Sequence, residues 1–117
     1  MWVGTVIAQP QLDDVIQALN SGDLENMVKY FDNVVDITLN NDQSTYSKTQ
    51  AEMVIKNFLT KNSAKSFQVR YKGNVSSDSS FFVIGELKNN AHGIYKVYFF
   101  FKQKGKLHFI QKIKFEQ

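Results

Sequence analysis

Acid–base chemistry in a small domain needs a carboxylate or histidine with a tuned proton affinity, and a donor close by. In this chain the strongest polar candidate is Asp36, set in the alternating run Val34-Val35-Asp36-Ile37-Thr38-Leu39. Facing an apolar interior, it would be raised in pKa by burial and become a plausible base. It stands in opposite phase to Val35, Ile37 and Leu39, however, so the same pattern also reads as a solvent-facing acid or the partner of a sheet lysine. Tyr30, Tyr46 and Tyr71 supply hydroxyls that could sit at the mouth of such an interior, although tyrosine is an equally good core residue with a wet tip. Asp36 with these three tyrosines forms the candidate set lining a ligand cavity.

Other polar groups have blander readings. His108 shares a strand face with Lys112 and Lys114, and His92 falls in a turn-rich stretch. Asp13 and Asp14 are neighbours on a helix, so they diverge by about 100° and read as first-turn dipole partners, not as an acid/base pair. The absence of cysteine excludes disulfides, thiol nucleophiles and cysteine–zinc sites, and two histidines make a histidine-rich metal site a poor fit. The sequence holds no phosphate-binding glycine loop, nucleophile elbow, paired-histidine motif or calcium loop. No catalytic residue, metal ligand or cofactor is assigned.

Such groups must be held by something. A chain of 117 residues, 43% of them hydrophobic, suits one folded domain. Ten Phe, five Tyr and one Trp bury much area per residue, which helps a small core. No apolar run approaches the roughly 18 residues of a membrane-spanning helix. The net charge of +3 hides a split: residues 1–59 carry three lysines against eight acids, and residues 60–117 carry eleven basic residues against three acids. Thirteen of the fourteen basic residues are lysine, and a surface with Arg70 as its single arginine is poorly equipped to read nucleic acid. The opening Val6-x-Ala8-Gln9 reads like a signal-peptidase site, which makes export to the periplasm the expectation. If residues 1–8 are no signal remnant, residues 1–9 are an N-terminal arm and the location is cytoplasmic.

Residues 10–20 read as a helix, with proline near its start and Leu12, Val15, Ile16 and Leu19 on one face. Ser21-Gly22 ends it, and Asp23 caps a second helix running to about Phe31. A strand follows at 34–39, with 42–46 as its short partner. Ser47 caps a third helix whose buried stripe is Ala51, Val54, Ile55, Phe58 and Leu59. Four strands fill the rest, near 66–75, 80–88, 93–103 and 106–116. The third of these is apolar on both faces: Tyr95, Val97, Phe99 and Phe101 on one, Ile94, Tyr98 and Phe100 on the other. Three helices can cover only one face of a curved sheet, so the face bearing Tyr98 and Phe100 is expected to meet a second copy of the chain.

This order of elements resembles the nuclear transport factor 2-like superfamily, also called SnoaL-like or cystatin-like. The local match is Gly22-Asp23-Leu24-Glu25-x-Met27-Val28-x-Tyr30-Phe31, similar to the joint between that superfamily's first two helices. Tyr46-Ser47-Lys48-x-Gln50-Ala51 and Ile84-Gly85-Glu86-Leu87 look more like one branch, a set of small, uncharacterised exported bacterial proteins found chiefly in the Bacteroidota. The resemblance spans residues 10–116 and implies an α+β cone, three helices packed on a strongly bent, mainly antiparallel sheet, as one domain over 10–117.

The superfamily includes enzymes that work in the cone's apolar cavity and many non-enzymes, so the fold does not settle activity. Aligned on Gly22-Asp23, the ketosteroid isomerase aspartate falls on Leu39, its oxyanion tyrosine on Val15, and its second acid near Val97. None of these can move or donate a proton, and steroid isomerisation is excluded. The expected function is a non-catalytic binding or assembly domain, homodimeric, with a small apolar ligand in the cone. The alternatives are an enzyme with a non-standard catalytic set and a binder of anionic polymer or lipid through Lys102, Lys104, Lys106, Lys112 and Lys114.

Overall fold

The computed structural model describes residues 10–61, 64–74, 80–89 and 93–117. The stretch 1–9 with its export reading, and His92, lie outside the described residues. Helix α1 spans Pro10–Ser21 and buries Leu12, Val15, Ala18 and Leu19. Gly22 ends it at φ +83°, its N–H donating to the Ala18 carbonyl at 2.9 Å, a conformation that costs glycine little. Helix α2 is one turn, Glu25–Val28, shorter than the sequence pattern implies. Asp23 lies before its N-cap residue, Leu24, and its Oδ1 accepts the Glu25 N–H at 3.3 Å. Leu24, Met27, Val28 and Phe31 are all buried as helical spacing suggests, but Phe31 is recruited into a strand.

Strand β1 spans Phe31–Leu39 and β2 spans Asp42–Ser47. Helix α3, Lys48–Lys61, is opened by a reciprocal capping box. The Gln50 N–H donates to Ser47 Oγ at 3.3 Å, and the Ser47 N–H donates to Gln50 Oε1 at 3.4 Å. The remaining strands are β3 (Ala64–Asn74), β4 (Phe81–Asn89), β5 (Gly93–Lys104) and β6 (Leu107–Glu116). They join one six-stranded sheet in the order β2-β1-β6-β5-β4-β3, with β1 and β6 parallel and every other pair antiparallel. This is the α+β cone, a mainly antiparallel sheet around its helices.

Register breaks at Val69/Tyr71 on β3, at Phe100/Phe101 on β5 and at Phe31/Asp36 on β1 add twist and bend to the sheet. Helix α1 lies against β3 and α2, and α3 against β1 and β2, and their buried side chains join those of the strands in one core on the inner face. There Phe31, Phe81, Phe99, Phe101 and Phe115 are each at most 1% exposed. Gly85 makes this packing possible, since a Cβ there would come within 2.4 Å of the Phe67 ring and 2.7 Å of the Gln68 carbonyl oxygen. On the sheet's free edge the Asn20 amide acts as a substitute strand. It accepts the Phe67 N–H at 2.9 Å and donates to the Phe67 carbonyl at 3.2 Å, blunting the edge.

Candidate functional site

The four cavity candidates are distributed over both faces of the sheet. Tyr30 and Tyr46 pack half-buried against the core, Tyr46 sitting opposite Val35 on β1. The Tyr30 hydroxyl donates to Asp14 Oδ2 at 2.6 Å, with Lys29 Nζ 3.7 Å from the same oxygen. That hydrogen bond, with burial and the Asp14 charge behind it, pushes the Tyr30 phenol up to about 12, so it holds its proton. Asp36 lies on the outer face, where Thr45 Oγ1 donates to its Oδ1 at 2.6 Å. Tyr71 is on the outer face too, cross-strand from Ile84 and 57% exposed. Of the three positions that the isomerase alignment touches, Val15 and Val97 are fully buried core and Leu39 packs partly buried against it.

Tyr98 and Phe100 do come together with other rings. On β5 they pair with Ile84 and Phe82 of β4, and Phe82 links to Tyr98 at 5.9 Å and to Tyr71 at 5.7 Å between ring centroids. This aromatic patch lies on the sheet face turned away from the core. Beside it on β6, Lys112 stands opposite Phe100 and Lys114 opposite Tyr98. The five lysines that suggested a binder of anionic polymer or lipid do not form one stripe: Lys104 turns to Asp32 at 2.8 Å, Lys114 pairs with Glu116 at 3.4 Å, and Lys106 belongs to the β5–β6 turn. His108 is half-buried against Phe81, 5.0 Å between rings.

The most elaborate polar arrangement centres on Asp32, the residue directly after the run whose spacing reads as the second helix. Between the Phe31/Ile110 and Asp36/Lys112 pairs, β1 advances five residues while β6 advances two. The surplus residues cannot stay in the ladder and loop away from β6. The turn-forming pair Asp32-Asn33 directly before the apolar run is the sequence signal for this break. Gln111, the extra residue of β6 relative to β5, occupies the gap from the other side. The result is a cleft of roughly 340 Å³ with Asp32, Asn33, Val34 and Asp36 on one wall and Gln111 and Lys112 on the other.

Asp32 itself is only 7% exposed. Lys104 Nζ lies 2.9 Å from its Oδ1 and 2.8 Å from its Oδ2. The Gln111 amide donates to Oδ2 at 2.9 Å, and the Asn33 N–H donates to Oδ1 at 2.8 Å. Burial alone would raise the Asp32 pKa, but the hydrogen bonds from Lys104, Gln111 and Asn33, with the Lys104 charge, outweigh it and hold the carboxyl below its ordinary value. Asp32 is therefore a fixed anion that staples β1 to the end of β5 and the middle of β6, not a base waiting for a proton. Among the described residues no group of three or more His, Cys, Asp or Glu is placed to hold a metal ion. No helix among them is long and apolar enough to cross a membrane.

Solved structures carry the same cone. A protein of Shewanella oneidensis MR-1 described as NTF-2 like superposes with a TM-score of 0.69 at 13% identity, over 92% of this chain and 94% of that one, which establishes the fold alone. The family is narrower. This chain belongs to the family described as "Domain of unknown function (DUF4783)", whose model matches residues 12–116. A member from Bacteroides uniformis ATCC 8492 is 30% identical with a TM-score of 0.81, over 90% of this chain and 94% of that one. Another, from Bacteroides ovatus ATCC 8483, is 27% identical with a TM-score of 0.81, over 89% and 92%. The superfamily resemblance and its Bacteroidota branch both hold. No curated protein matches the chain.

Proposed function

We propose that this domain is a non-catalytic binding and assembly module that pairs with a second copy of itself through the outer face of the sheet. The observation that carries the reading is the aromatic patch of Tyr71, Phe82, Tyr98 and Phe100 on the face that none of the three helices covers. Rings held side by side on a sheet lose little conformational entropy on association and desolvate a large area, as interface aromatics do. The patch belongs to β3, β4 and β5, on the opposite side of the sheet from β1 and β2. The tight ring packing of Phe81, Phe99 and Phe101 on the inner face supports placing the working surface outside the cone.

Sedimentation equilibrium tests this reading. The wild type is expected at twice the chain mass, and Phe100→Glu at the monomer mass with an unchanged far-UV circular dichroism spectrum. A wild type that stays monomeric at every concentration, or a variant that pairs as well as the wild type, overturns it.

A further inference from the structure

We propose that the cleft opened by the β1/β6 register break binds a sugar, gripping two adjacent hydroxyls between the Asp36 carboxylate and the Lys112 ammonium. The inference rests on the strand break and not on self-association. Asp36 and Lys112 are cross-strand partners at the first pair below the break. Asp36 is oriented by the Thr45 hydroxyl on Oδ1, which leaves Oδ2 as an acceptor. Lys112 has no ion pair within 4.0 Å among the described residues. A fixed acceptor beside a free donor suits a hydroxyl pair, because each hydroxyl can donate to the carboxylate and accept from the ammonium.

The charge balance selects this ligand class over the obvious competitors. Asp32 and Asp36 offset Lys104 and Lys112 within the cleft, so neither a free anion nor a cation meets a net field of the opposite sign. Asp32 and Lys104 are spent on each other and contribute rigidity. Both Asp36 and Lys112 border bulk solvent, where the charges of a zwitterionic amino acid would be screened and worth little. A neutral polyol takes directional hydrogen bonds instead. The cleft continues along the sheet into a second hollow of roughly 220 Å³, which Asp36 and Lys112 line together with Thr38 and Gln43, a few placed polar groups of the kind that orient a small ligand.

The test is a ¹H–¹⁵N NMR titration of the intact chain with glucose, galactose, mannose and ribose, whose diols differ in axial and equatorial placement. Glycine and inorganic phosphate serve as the competing chemistries. Shifts saturating with at least one sugar at millimolar concentration, centred on Asn33, Asp36, Gln111 and Lys112, are the expected result. Asp36→Ala is expected to weaken that sugar about tenfold, the effect of one charge-assisted hydrogen bond. Lys112→Gln, which retains a donor but not the charge, is expected to weaken it less. Both positions lie on the outer face, and an unchanged thermal midpoint verifies that the variants fold. Silence with all four sugars, a site that responds to glycine or phosphate alone, or affinity untouched in both variants overturns the proposal.

Discussion

Replacing Asp32 by asparagine is the most incisive perturbation of the Asp32 staple. The amide keeps the shape and one acceptor, so the Asn33 N–H retains its partner while the NH₂ group turns against the Lys104 ammonium or the Gln111 amide. Lys104 is about half exposed and can retreat into water, whereas the asparagine stays in the 7%-exposed position. Charge-assisted hydrogen bonds are worth about 1.5–3 kcal/mol each, and the escape of Lys104 places the loss toward the lower end, at about 2 kcal/mol. The pH dependence gives a second readout. The Asp32 pKa in the folded protein lies below the ordinary value of 3.8, so its stabilisation is present above that value and disappears as the pH falls through the folded pKa. Urea unfolding of both proteins, near neutrality and then stepwise into acid, should therefore show a gap that is full at neutral pH and closes at the acid end. A gap that is small throughout, or one that does not change with pH, would refute the assignment of Asp32 as a fixed, hydrogen-bonded anion.

Two further outcomes follow from the geometry. Gly85→Ala places a methyl group 2.4 Å from the Phe67 ring and 2.7 Å from a backbone oxygen, and overpacking of that kind costs about 1–3 kcal/mol; calorimetry showing an unchanged midpoint would contradict the close approach of β3 and β4. Tyr30, raised from 10.0 to about 12, should give a late step in an ultraviolet titration. Its contribution is complete below the unfolded pKa and is lost as the pH climbs through the folded one. Tyr30→Phe should remove that late step and about 1 kcal/mol of stability near neutrality, and persistence of the step in the variant would assign it to another residue.

The alternation of Val35, Ile37, Val97, Phe99, Ile113 and Phe115 made the strands and their buried face legible in the chain, because side chains on a strand alternate strictly between faces. The same rule put Asp36 in opposite phase to its apolar neighbours, and it does lie on the outer face. The helix joint at Gly22 and the cap at Ser47 were equally plain, since both are satisfied by residues within four positions. Length of helix was harder to read. Leu24, Met27, Val28 and Phe31 have helical spacing, but the long-range hydrogen bond from the Ile110 N–H to the Tyr30 carbonyl, at 2.7 Å, draws the end of that run into the sheet.

The Asp32-Asn33 pair marks where β1 can break, but the cleft itself is made by tertiary structure. Asp32, Lys104 and Gln111 are separated by 72 and 79 positions, and no local pattern announces that a parallel β1/β6 pairing will bring them together. That pairing is decided by how β6 inserts between β1 and β5, a packing outcome of the whole core. The register mismatch it leaves, five residues against two, is what opens the cleft and buries the carboxylate. What the sequence alone determined is therefore the alternation, the caps and the two-faced apolar strand, all of them properties of neighbours along the chain. Which polar groups meet, and in what electrostatic state, was settled only when distant strands found their register.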